Sequence, residues 1–231
     1  MPLHPRSRRL PPLRRVVRWL LMGIALYYAA CTLGLVYLRF FPPVVTMVQL
    51  QRALESPFVK GPYSHRAEWV ELDALPAHVG HAVIAAEDGR FYLHRGFDWE
   101  ELDAARRQAE RRNRPPRGAS TITQQLVKNL FLTTHRSYVR KGIELSLTPL
   151  AELILPKRRI LELYLNVVEW GPGVYGIEAA SRYHYRKPAR RLTREQAARL
   201  AAILPAPRRR TPARMGAYAS VVEARMRAHG W

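Results

Sequence analysis

Residues 19–38 (WLLMGIALYYAACTLGLVYL) form an unbroken apolar run without a charge, and beyond residue 43 apolar positions recur at helical spacing. Twenty residues at ~1.5 Å each span ~30 Å, the hydrocarbon thickness of a bilayer. Core helices rarely run this far uncharged, and the apolar part of a secretory signal is shorter, ~7–15 residues. The run therefore reads as one uncleaved transmembrane helix over 19–39, closed by Arg39 and by Pro42 and Pro43.

The remaining pattern is mainly α. Residues 74–87 put Leu75, Val79, Val83 and Ala86 on one helical face. Asp98 can cap a helix running through Arg112, with Leu102 and Ala105 turned inward. Ser120 can cap a helix reaching Leu132, with Leu126, Leu130 and Phe131 as core. A further helix runs from Ser137 to Leu155, and Pro149 should bend it by removing one internal hydrogen bond. Lys157 to Val168 follows, with Ile160, Leu161, Tyr164 and Leu165 apolar, and Tyr183 and Tyr185 read as packing residues. Thr193 and Gln196 form a capping box for a helix over 194–203, and 213–229 can make a last amphipathic helix. Between these lie a basic, proline-containing loop over 113–118 and a glycine-rich turn over 170–176 (WGPGVYG). The turn is not a phosphate-binding GxGxxG, because no strand is predicted before it.

Composition adds limits. With 48% hydrophobic and 24% charged residues over 231 positions, wholesale disorder is excluded. Cys31 is the only cysteine, which excludes a disulfide framework and a cysteine-based zinc site. The net charge of +20 calls for an anionic partner. Arg6, Arg8, Arg9, Arg14, Arg15 and Arg18 precede the apolar run, and no acid appears before Glu55, so the N-terminus should stay cytoplasmic. Setting these six and Arg39 aside leaves 31 basic against 18 acidic residues, a net +13 for the external part. On that side nucleic acid is a poor partner, and a lipid headgroup or lipid-linked phosphate a better one.

Three clusters could carry chemistry. Glu87 and Asp88 end an apolar helix and are followed by Phe91, His94 and Gly96. A carboxylate so placed can have a raised pKa that suits proton transfer, or can be a solvated helix end. The second helix gathers Ser120, Thr121, Thr123, Gln124, Gln125, Lys128 and Asn129, a polar face able to hold sugar hydroxyls or a phosphate, or simply to face solvent. Third, Arg140 and Glu144 are i,i+4 neighbours beside Lys141, read either as a surface ion pair worth roughly 0.3–0.5 kcal/mol or as a basic clamp beside a second carboxylate. No G-x-S-x-G, S-x-x-K, K-T-G or H-E-x-x-H occurs.

Together the segments EDGRFYLHRGFD (87–98), GASTITQQLVKNLFL (118–132), RKGIE (140–144), KRRILELYLNVVEWGPGVYGIEAA (157–180) and LTREQAARLAAILPAP (192–207) resemble the family 51 glycosyltransferases, the peptidoglycan transglycosylases of bacteria. The resemblance spans about residues 45–210, in the family's order and spacing. Without penicillin-reactive motifs it points to the family's monofunctional branch. It implies a lysozyme-like α-helical glycosyltransferase domain over 44–210 with a small membrane-proximal jaw lobe. Around that domain lie a cytoplasmic basic tail (1–18), the transmembrane helix (19–39) and a basic helical tail (211–231).

The implied reaction is inverting transfer of a growing undecaprenyl-diphosphate-linked glycan onto the 4-hydroxyl of lipid II. It forms β-1,4 bonds at the outer face of a bacterial inner membrane. By motif position Glu87 is the general base, and Glu144 assists departure of the diphosphate. Lys128, Arg140 and Lys141 are its cationic contacts, and Asp88, Phe91, His94, Ser120, Thr121, Gln125 and Asn129 are cleft residues. No tightly bound cofactor is implied, and no metal ligand is assigned. A divalent cation such as Mg2+ at the diphosphate is the one open cofactor, and cell-wall synthesis or division proteins are the implied partners. Pro149 and Pro156 flank Glu152, which stays outside the catalytic pair. The competing readings are a lysozyme-like glycan-cleaving enzyme and a non-catalytic cell-wall scaffold.

Overall fold

The computed structural model describes residues 13–58, 64–112 and 120–231. The basic loop over 113–118 and most of the N-terminal basic tail lie outside the described residues. The fold is mainly helical, as the periodicity predicts. Its helices are α1 (Leu13–Phe40), α2 (Met47–Glu55), α3 (Ala77–Glu87), α4 (Trp99–Arg112), α5 (Ile122–Phe131), α6 (Tyr138–Ile154), α7 (Lys157–Val167), α8 (Ile177–Tyr185), α9 (Arg194–Ala201) and α10 (Gly216–Ala228).

α1 is long and apolar enough to cross a membrane. It begins before the uncharged run, so Arg14, Arg15 and Arg18 continue the same helix. Its first half is exposed, while Cys31, Leu35 and Leu38 are buried against the rest of the protein. Polar contacts fix this second half. Tyr28 Oη and Ser146 Oγ lie 2.5 Å apart, and Tyr27 Oη donates to Phe131 O at 3.4 Å. Arg39 donates to Ile154 O at 2.9 Å, and Arg159 Nε donates to Leu38 O at 2.8 Å. Gly34 allows the close approach: a β-carbon there would lie 3.2 Å from Phe131 Cε1.

Capping follows side-chain chemistry. Thr193 and Gln196 form the expected box at α9, and Asp98 Oδ1 accepts from Glu101 N–H at 3.0 Å at the start of α4. At α5 the cap is Thr121 rather than Ser120, because a box needs Gln or Glu three residues on, and Gln124 stands three after Thr121. α4 buries no residue and Leu102 is exposed, contrary to the expected inward face. α6 runs unbroken through Pro149, and Pro156 caps α7. Tyr183 is exposed and lies under the Arg66 guanidinium, whereas Tyr185 packs partly against the core.

The glycine-rich turn over 170–176 is a β-hairpin. β2 (Glu169–Gly171) pairs antiparallel with β3 (Val174–Tyr175), and β1 (Arg66–Ala67) lies parallel to β3 on its other side. Gly173 at φ +70° makes the turn, and a β-carbon there would sit 1.8 Å from Ser64 O. The core is continuous from α1 to α10 and includes Ile84, Phe91, Ile122, Leu126, Leu147, Ile160, Tyr164 and Trp170. α10, within the stretch read as a tail after residue 210, packs on α3 and α9 and buries Ala219, Val222 and Met226 in that core.

Candidate active site

Four helices bring the clusters together: α5 packs against α6 and α7, and α3 ends beside the start of α5. Glu87 is the last residue of α3. Its Oε2 accepts from Gln125 Nε2 at 2.8 Å. The same amide accepts at Oε1 from Tyr164 Oη, also at 2.8 Å, which fixes its orientation. Gln125 Nε2 also donates to Ser120 O at 3.3 Å, and Asn129 Nδ2 donates to Gln125 O at 2.7 Å. Burial pushes the Glu87 carboxyl above the usual range; the Gln125 hydrogen bond and the charges of Lys128 and Arg210 pull it back, and Asp88 pushes it up. Tyr164, read from the sequence as an apolar core position, is a partner of this carboxylate through Gln125. Its own hydroxyl is held well above its ordinary pKa by burial and stays a donor.

Glu144 is buried on α6, not part of a surface pair. Arg140 Nη1 donates to one of its oxygens at 2.6 Å and Lys141 Nζ to the other at 2.5 Å. Lys141 also reaches Ser120 Oγ at 3.3 Å. Lys128 stands electrostatically between the two acids. Burial lowers its pKa most, Glu144 and Glu87 raise it, and Arg140 and Lys141 lower it. The arrangement is a desolvated carboxylate facing a cluster of three cations that shares a second carboxylate.

Asp88, Phe91 and Thr121 are buried and, with the half-buried His94, form the brace behind this site. Asp88 Oδ2 accepts from Ile122 N–H at 2.9 Å, Asp88 Oδ1 meets His94 Nε2 at 2.8 Å, and Thr121 Oγ1 donates to Gly96 O at 2.7 Å. Phe91 carries the Lys157 ammonium 4.4 Å above its ring. Glu152 belongs to the same frame, accepting from Thr123 Oγ1 at 2.5 Å and Lys157 Nζ at 2.8 Å.

A cleft of about 420 Å3 opens along Gln125, Lys128, Asn129 and Tyr164. Its other walls carry Arg52, Arg136, Arg208 and Arg209, which the sequence motifs did not assign to the site. Glu169 of β2 lies on the same cleft, within 3.5 Å of Arg52 Nε and 3.9 Å of Arg208 Nε. Burial pushes its carboxyl up while both arginines pull it down.

The residues around Glu144 do not make a cradle for a divalent ion, since both carboxylate oxygens already face Arg140 and Lys141. Asp88, His94 and Asp98 bring three possible ligand atoms within 4.8 Å of one another. There too the acids are engaged, with His94 and Ile122 on Asp88 and Arg90 on Asp98 at 3.3 Å.

The site pairs a buried carboxylate at a helix end with a cation cluster on a helical scaffold, an arrangement suited to proton transfer beside an anionic group. Residues 55–228 match the family described as Transglycosylase. Over 207 residues the chain is 45% identical to the biosynthetic peptidoglycan transglycosylase of Xanthomonas campestris pv. campestris (strain B100), covering 89% of this chain and 83% of that protein. The protein of the same name from Rhodospirillum centenum is 43% identical over 221 residues, 94% of this chain and 92% of the relative. A third of that name, from Chromohalobacter salexigens, is 45% identical over 206 residues, with 89% and 88% covered. The chain belongs to the transglycosylase family, and it is a glycosyltransferase.

Proposed function

We propose that the protein polymerises peptidoglycan glycan strands, using Glu87 as the base and the Lys128–Arg140–Lys141 cluster for the departing diphosphate. The relatives' shared name supports the polymer, and the buried, Gln125-held Glu87 carries the chemical assignment. The 4-hydroxyl oxygen of a lipid II acceptor attacks the anomeric carbon of the glycan donor. Its proton passes to Glu87, a β-1,4 bond forms with inversion, and the bond from that carbon to the lipid diphosphate breaks. General base catalysis by a positioned side chain is worth ~10²–10⁴-fold in rate, and burial makes Glu87 a stronger base than a solvated glutamate. Charge developing on the diphosphate oxygens is met by Lys128, Arg140 and Lys141, with Glu144 holding the last two in place. No step runs through a metal ion.

α1 is the membrane anchor in this reading. Its arginine-rich start lies in the cytoplasm and the catalytic domain lies outside the inner membrane. Sharing the membrane of its lipid substrate raises the effective concentration. Asp88, Phe91, His94 and Thr121 support the site from behind, while Gln125 and Asn129 line it.

The deciding experiment is polymerisation of purified lipid II by the detergent-solubilised protein, with Glu87→Gln alongside. Glycan strands from the wild type alone are the expected result. Cleavage of preformed strands without polymer, or polymer from both proteins, would overturn the assignment.

A further inference from the structure

α10 ends on the helix that carries Glu87. At the end of α3, Asp88 N–H closes on Ile84 O at 2.9 Å. The next carbonyl, Ala85 O, accepts from Arg225 Nη1 of α10 at 3.1 Å. Carbonyls at a helix end lack intrahelical partners, and a cation there also opposes the negative end of the helix dipole.

Further contacts converge on the same point. A β-carbon on Gly89 would lie 3.6 Å from His229 Nε2, so the end of α10 rests against the chain just past Glu87. The His229 ring stacks on Trp231 at 4.6 Å, and Trp231 stacks on His81 of α3 at 4.5 Å. Arg194 of α9 donates to Trp231 O. Glu87 thus leaves α3 between two points, Ala85 and Gly89, that α10 and its C-terminal extension hold from one side. Gln125 receives it on the other.

We infer that Arg225 is a positioning residue for Glu87: by closing the last turn of α3 it sets the direction in which the carboxylate meets Gln125. The inference rests on Glu87 being the base. Arg225 is largely exposed and does not line the cleft beside Lys128. Its loss should therefore disturb folding little, whereas a misplacement of ~1 Å in a reacting group costs up to ~10²-fold in rate.

The test uses the full-length protein on purified lipid II and compares Arg225→Met, Arg225→Lys and Met226→Ala with wild type and Glu87→Gln. Arg225→Met keeps the apolar stem and loses the donor. It should lower kcat about fivefold to twentyfold, with KM within about twofold and Tm nearly unchanged. Arg225→Lys should recover most of the lost kcat. Met226→Ala, on the buried face of the same helix, should lower Tm while kcat per folded molecule stays near wild type. A wild-type kcat for Arg225→Met, a change in KM alone, or kcat losses that follow Tm in both α10 variants would overturn the inference. Polymer from Glu87→Gln would instead remove the base assignment beneath it.

Discussion

Gln125 donates from Nε2 to Glu87 at 2.8 Å while Tyr164 donates to its Oε1 at the same distance, so one amide is gripped at both ends. The grip decides which way the amide faces: only with its nitrogen toward Glu87 do both bonds form. It also stabilises the ionised carboxylate, against the burial that favours the protonated form.

Gln125→Leu should therefore raise the Glu87 pKa. A base must be deprotonated to act, so the acid limb of the pH–rate profile should move to higher pH. Activity at neutral pH should fall, and alkaline buffer should restore part of it. A pH profile of kcat/KM on lipid II checks this; an unmoved acid limb would show that the bond does not tune the base.

Lys128→Met should lower kcat/KM by about 10²-fold, the usual scale for losing one donor to a developing anion. It should also raise the Glu87 pKa, because Lys128 is one of the cations pulling it down. Lys128→Arg should recover part of the activity by keeping the charge. Steady-state kinetics at limiting substrate distinguish these outcomes.

Glu87→Gln should stabilise the protein it inactivates. The folded pKa of Glu87 lies above its unfolded value, so the folded state holds its proton more tightly. Stability is therefore lost as pH rises from the ordinary carboxylate range through the folded pKa. Gln cannot ionise and escapes that loss. Its Tm should exceed that of wild type at neutral pH, by about 2–4 °C for each ~1 kcal/mol, and the gap should close at acid pH. Thermal melts across pH measure it.

Gly34→Val tests the union of α1 with the catalytic domain. A β-carbon there meets the Phe131 ring at 3.2 Å, and the added methyls overfill the contact. The expected cost is ~1–3 kcal/mol. Polymerisation should fall with Tm in detergent, while Gly23→Val, with open space around it, should leave both near wild type.

How much of this was legible in the sequence follows from the range of each interaction. The helices, the Thr193 box and the Asp98 cap are local and could be read directly. Thr121 was legible as well: Gln124 marks it as the cap, and Ser120 lacks such a partner. The exposed face of α4 was not, because Leu102 carries the same letter whether or not a neighbour covers it. The Gln125–Tyr164 bond joins residues 39 apart in the chain, and Arg225–Ala85 joins residues 140 apart. No spacing rule reaches that far. The motifs located the two glutamates; the long-range contacts show what holds them.

One consequence of the α1 contacts concerns heading. The second half of α1 is tied to Phe131, Ser146, Ile154 and Arg159, so it has no swivel beneath the catalytic domain. Any turn of the anchor about its own axis is a turn of the cleft through the same angle. With α1 as the proposed anchor, the mouth of the site takes its compass bearing in the plane of the membrane from the side that α1 presents.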